Sequence, residues 1–138
     1  MNEQRIRSDA NRCFVCGPGN PRGLRLLFNI DDHDVCRSEF TPGSDHVGYD
    51  TMTHGGILYC ALDDVMANWL FLKGSRAHTA RCEVRYRQAL TTGTPELLEG
   101  RLIKRKGKVA FMQGLALKAS DLSVVAEADA SFMIVSEA

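Results

Sequence analysis

HGGILYCALDDVMANWLFL, residues 54–72, is the one long run of the chain that is free of Gly and Pro beyond its first turn and rich in helix formers. It predicts one substantial helix. Wound at about 3.6 residues per turn, it puts Leu58, Leu62, Val65, Trp69 and Leu72 on one side and Cys60, Ala67, Leu70 and Phe71 over much of the other. A helix apolar nearly all round is expected to be buried. Its head, His54-Gly55-Gly56, suits a turn whose backbone approaches something closely, and the N–H groups exposed there attract negative charge. Asp63 and Asp64 lie about 100° apart around the axis, so they cannot share a face. Asp63 falls between Tyr59, Ala67 and Leu70; Asp64 falls nearer Ile57, Asn68 and Phe71. Either one side of the helix opens to solvent and both carboxylates are hydrated there, or at least one is protonated, paired or used.

Strand patterns flank this helix. Leu24, Leu26, Phe28 and Ile30 alternate with Arg25, Leu27 and Asn29, 31–34 reads as a turn, and 35–41 returns as a second strand. Residues 42–50 form a breaker-rich loop leading to the helix, whose far end is marked by Lys73-Gly74-Ser75. Beyond it the pattern predicts strands over 79–90, 96–105, 109–119 and 123–135, joined by hairpin turns as a four-strand antiparallel meander. The class is α+β, and a curved sheet wrapped around the helix is the simplest way to bury it. Such a sheet leaves edge strands, and pairing them across a two-fold predicts at least a homodimer.

The length fits a single domain over 1–138 with an irregular leader over 1–23. Seventeen basic and seventeen acidic residues balance, so nothing calls for nucleic acid or an anionic membrane surface. No apolar run approaches a bilayer's thickness, and the N-terminal stretch, with Glu3, Arg5, Arg7 and Asp9, lacks the apolar middle of a secretory signal; cytoplasm is the expected compartment. Five cysteines, an odd number, argue against a disulfide framework. Cys13-Phe14-Val15-Cys16-Gly17 has the spacing of half a zinc knuckle, but a closed structural site needs four ligands and no second Cys-x-x-Cys follows. His33 and Cys36, or a second subunit, would have to complete it; reduced, locally packed thiols are the expectation, and no metal is assigned.

Three stretches together carry a resemblance: CFVCGPGNPRGL at 13–24, HVGYDTMTHGG at 46–56 with the Leu62-Asp63-Asp64 that follows, and TARCEVRYR at 79–87. The chain resembles the hotdog-fold acyl-CoA thioesterases of the PaaI-like branch. The resemblance implies the hotdog fold, a sheet wrapped around the 54–72 helix, and hydrolysis of an acyl-CoA thioester to free acid and CoA in a homodimer or homotetramer. It also implies that the Gly55 backbone N–H holds the oxyanion and that Asp63 attacks the thioester or activates a water. Gly56 would clear space. Asp64 is the rival carboxylate, because many relatives carry Glu at its position and helical geometry alone does not choose between the two.

Thioester hydrolysis needs an activated nucleophile and an oxyanion donor, and helix N-terminal N–H groups suit the second role. His54 either polarises the carbonyl or hydrogen-bonds backbone at the head of the helix, and His46 is a second candidate in the loop before it. Thr79 begins a strand and ranks low, although a hydroxyl there would orient water; His33 and His78 have no motif support. CoA, present only as part of the substrate, brings phosphate charges that a neutral protein must meet locally. The candidates are Arg105, Lys106 and Lys108 at a hairpin tip, with Arg85 and Arg87 as rival anchors. Two alternatives stand: a non-catalytic hotdog protein that binds an acyl thioester as sensor or carrier partner, and an acyl-thioester dehydratase.

Overall fold

The computed structural model describes residues 10–137; the charged stretch 1–9 lies outside the described residues. In chain order the elements are β1 (Asn29–Ile30), β2 (Cys36–Phe40), a 3-10 turn (Ser44–His46), α1 (Gly55–Leu72), β3 (Ser75–Tyr86), β4 (Glu96–Lys106), β5 (Val109–Lys118) and β6 (Val124–Glu137). All strand pairs are antiparallel in one sheet of order β1-β2-β4-β5-β6-β3. The protein is α+β, one long helix packed against a six-stranded sheet.

The helix meets the sheet over a floor of small residues. Gly100 pairs with Gly114 and Gly114 with Ala128, a rung that crosses three strands, and Ala110, Ala116, Ala126 and Ala130 are buried around it. A Cβ on Gly100 would lie 2.6 Å from the Val65 carbonyl oxygen, so only glycine permits this approach. Leu58, Ala61, Leu62, Val65, Met66, Trp69 and Leu70 fill the space above that floor. Trp69 Nε1–H donates to the Asp34 carbonyl at 2.8 Å, tying the β1–β2 turn to the C-terminal end of α1.

Three expectations need correction. First, the four later strands do not form one meander: only β4, β5 and β6 do, while β3 pairs with β6 and becomes a sheet edge, its neighbour in sequence β4 pairing with β2 instead. The cause is the helix, which delivers the chain to the far edge before the segment after Tyr86 crosses back. Second, β3 begins at Ser75 rather than near 79, because Gly74, at φ +95°, reverses the chain directly off the helix end. Third, residues 24–28 keep the expected alternation, with Leu26 and Phe28 buried, but only Asn29 and Ile30 join the sheet. α1 is also less enclosed than its composition suggests: Gly55, Tyr59, Asp63, Ala67 and Phe71, at i, i+4 spacing, form a partly open stripe beside β3.

Candidate active site

His54 caps the helix. Its ring Nδ1 accepts from the Gly56 N–H at 2.8 Å, which assigns the imidazole proton to Nε2 in the neutral ring and satisfies one of the orphan donors. The His46 carbonyl accepts the His54 N–H at 2.8 Å, and the His46 ring accepts from Gly43 N–H at 2.9 Å. Both histidines therefore shape the turn. Gly55, the first helical residue, has no acceptor for its N–H among the described residues.

Along the open stripe the helix and β3 are laced by three hydrogen bonds. Tyr86 Oη–H donates to the Gly55 carbonyl at 2.8 Å, Tyr59 Oη–H to the Cys82 carbonyl at 3.0 Å, and Thr79 Oγ1–H to Asp63 Oδ1 at 2.7 Å. The register shift between Thr79 and Arg81 makes Ala80 a bulge residue. Without that extra residue, Thr79 and Cys82 would face opposite sides of the strand; with it, both pair with buried β6 residues, Phe132 and Ala130, on the helix side. From sequence Thr79 ranks low because threonine is common at strand starts, and the bulge that turns it toward the helix leaves no trace in the alternation of an edge strand. Tyr59 and Tyr86 carried no part in the site as read from sequence.

Asp63 is half-buried, and burial pushes its carboxyl above the ordinary range while the Thr79 hydroxyl pulls it back. An upward shift suits a carboxylate that takes a proton from water, whereas direct attack on a carbonyl favours a lower value. Asp64 points to the other side. Asn68, fully buried, donates from Nδ2 to Asp64 Oδ2 at 3.0 Å and to its carbonyl at 2.9 Å, and Cys13, Cys16 and Asp64 bring ligand-type atoms within 4.8 Å of one another. Neither His33 nor Cys36 joins that group among the described residues. Burial and the Asp64 charge push the Cys16 thiol far above its usual range.

The basic candidates divide. Arg105 is held by Glu137 through two hydrogen bonds of 2.9 and 3.2 Å, and Arg87 pairs with Glu127 at 3.0 Å. Lys106, Lys108 and Arg85 are exposed. Thr79, Phe132, Ala110 and Arg105 lie on one rung, so Arg105 is three strand spacings, about 14 Å, from Thr79. A groove of about 1060 Å³, lined by Leu24, Leu26, Phe40, His46 and Leu98 among others, does not reach Asp63. Gly55 and Asp63 are themselves eight residues apart, about 12 Å along the helix axis.

No protein-family model and no curated protein matches the sequence. Solved structures do. A thioesterase superfamily protein superposes with a TM-score of 0.84 at 22% identity over 94% of this chain, which spans 66% of that neighbour's length, just under two-thirds. The fold is the hotdog fold. The same hotdog architecture is met in the E. coli PaaI protein from the phenylacetic acid degradation operon (TM-score 0.75, 13% identity, 83% of this chain and 82% of that one). It is met again in a hypothetical thioesterase of Streptococcus pneumoniae TIGR4 solved with coenzyme A (TM-score 0.75, 13% identity, 81% and 90%). That last protein has also been solved with an aspartate and with a threonine replaced by alanine.

Proposed function

We propose that this protein hydrolyses an acyl-CoA thioester to free acid and CoA, with Asp63 as nucleophile or general base, Thr79 holding its carboxylate, and the Gly55 N–H receiving the oxyanion. The observation that carries the reading is the Asp63–Thr79 hydrogen bond on the partly open stripe of the central helix. The two residues substituted in the Streptococcus pneumoniae thioesterase are an aspartate and a threonine with the same separation, 16 positions, as Asp63 and Thr79.

A reacting carbonyl must lie about 3 Å from both the attacking group and the oxyanion donor. Across about 12 Å of one helix, Asp63 and Gly55 of the same chain cannot both reach it. The reaction thus calls for a two-fold copy whose helix runs antiparallel, placing Gly55 of one chain against Asp63 of the other. The free edge of β3 and the open stripe beside it are the surface such a copy would cover, in a homodimer or a tetramer built from it. The exposed Arg85, Lys106 and Lys108 then serve the CoA phosphates.

The test is release of free thiol from short, long and aromatic acyl-CoA esters, followed by complementation. Gly55→Pro removes the N–H at the first helical position, where proline is tolerated and His54 already has φ −61°, ψ 134°. Gly55→Pro and Asp63→Asn homomers are expected to be inactive, while mixed dimers regain one working site. Inactive mixed dimers would sink the shared site, and tight ester binding without turnover by wild type would replace the enzyme with a thioester-binding protein.

A further inference from the structure

The cysteine leader and Asp64 form a cluster of ligand-type side chains that the proposed hydrolysis leaves unused. We propose that Cys13, Cys16 and Asp64 bind a zinc ion, with water in the fourth position, and that this ion clasps the leader to the middle of α1. The two sulfurs and a carboxylate oxygen lie within 4.8 Å of one another, and ligand atoms of a tetrahedral zinc site sit roughly 3.5–3.8 Å apart, so a small side-chain closure suffices.

Two features of the surroundings are built for such a site. Gly17 N–H donates to the Cys13 carbonyl at 2.8 Å, and a Cβ on Gly17 would stand 2.3 Å from the Cys13 nitrogen; only glycine closes the turn this tightly after the second cysteine. Asn68, a fully buried amide from the next turn of α1, donates to Asp64 Oδ2 and approaches Cys16 Sγ at 4.0 Å. One donor thereby holds one of the three ligands and stands beside a second, where outer-shell groups sit around metals. Two thiolates with one carboxylate suit zinc and disfavour magnesium or calcium, which take oxygen ligands. On binding, two S–H bonds break, two Zn–S bonds and one Zn–O bond form, and both thiol protons pass to solvent. The leader is already pinned by Leu24 N–H to the Phe14 carbonyl and Leu26 N–H to the Val15 carbonyl, at 2.8 and 2.9 Å, so the ion would fix this knot against the helix residue next to Asp63.

The full chain, purified reduced, is titrated with zinc and with cobalt(II). One equivalent per chain is expected, with the near-ultraviolet sulfur-to-cobalt band of two thiolates, release of two protons per metal, and a rise in thermal midpoint reversed by chelator. Cys16→Ser should lose the equivalent, Asp64→Asn should weaken binding at least tenfold while keeping the band, and Cys82→Ser should keep the full equivalent. Should Cys16→Ser misfold, Cys13→Ser and Asp64→Asn, at half-buried positions, carry the same test. No metal uptake by the reduced wild type, an unchanged equivalent in the Cys13→Ser/Cys16→Ser double variant, or a Cys13–Cys16 disulfide that persists under reductant would each overturn the proposal.

Discussion

Asp63 and Asp64 are adjacent in sequence and identical in chemistry, yet α1 delivers them into unlike surroundings. Asp63 faces the edge strand, on the partly open stripe, with one hydroxyl on its carboxylate. Asp64 faces the cysteine leader, with the buried Asn68 amide on its carboxylate and two sulfurs beside it. The roughly 100° turn between neighbours separates them; what differs is whether strand or leader covers each side. A carboxylate's surroundings here are set by the element opposite it rather than by its own position in the motif.

The sharpest way to break this contrast is substitution of each. Asp63→Asn should lower kcat for thiol release by at least two orders of magnitude in a folded protein, and Asp64→Asn by less than tenfold. Equal losses would erase the distinction between the two faces.

A third carboxylate sharpens the comparison from the opposite extreme. Glu96 is fully buried, neither oxygen has a partner among the described residues, and burial pushes its carboxyl up to about 8 from an ordinary 4.5. Below pH 4.5 both folded and unfolded chains hold the proton and the group adds no pH dependence to stability. Between 4.5 and 8 the unfolded chain releases it while the folded chain retains it, so stability should fall by up to about 1.4 kcal/mol per pH unit, roughly tenfold in the folding constant. Denaturation midpoints of wild type should decline from pH 5 to pH 8, and Glu96→Gln should remove that slope. A slope that persists in the variant would show that Glu96 is not the group responsible.

Thr79→Ala should cost about tenfold in kcat with little change in KM, and Thr79→Ser, which keeps the hydroxyl, should recover most of it. Failure of serine to rescue would reduce Thr79 to a packing residue. The smallest effect is expected at the hairpin tip: Lys106→Glu with Lys108→Glu should raise KM for CoA esters severalfold and leave the fold intact, an effect that salt should diminish. An unchanged KM would shift the phosphate contacts to Arg85.

Much of the architecture was legible because local signals agreed. The helix reads out of 54–72 to within one residue, and β4, β5 and β6 out of alternation between turns marked by Gly93, Gly107 and Ser120-Asp121, because each has one face on the core. β3 was misplaced because an edge strand bordering a half-open helix has little apolar contrast, and its bulge breaks what alternation there is. Of the site, the Gly-Gly head and the aspartate pair were visible as motif, whereas the Thr79 hydroxyl ranked low and Asn68 stood only as a helical neighbour of Asp64. The Thr79 contact spans 16 positions, and Asn68 lies on the same helix face as Asp64 but gains its meaning only from the leader beside it.

By itself the sequence determined that one buried helix organises an antiparallel sheet, because apolar periodicity and turn residues act over a few positions and leave that choice little freedom. Only the tertiary structure decided which aspartate faces the open edge, that β3 crosses to pair with β6, and that Cys13 and Cys16 meet α1 at Asp64. Those outcomes depend on how the chain returns to the helix after long separations. They are fixed by close packing, as where the Val65 carbonyl settles onto Gly100, and not by the preference of any single segment.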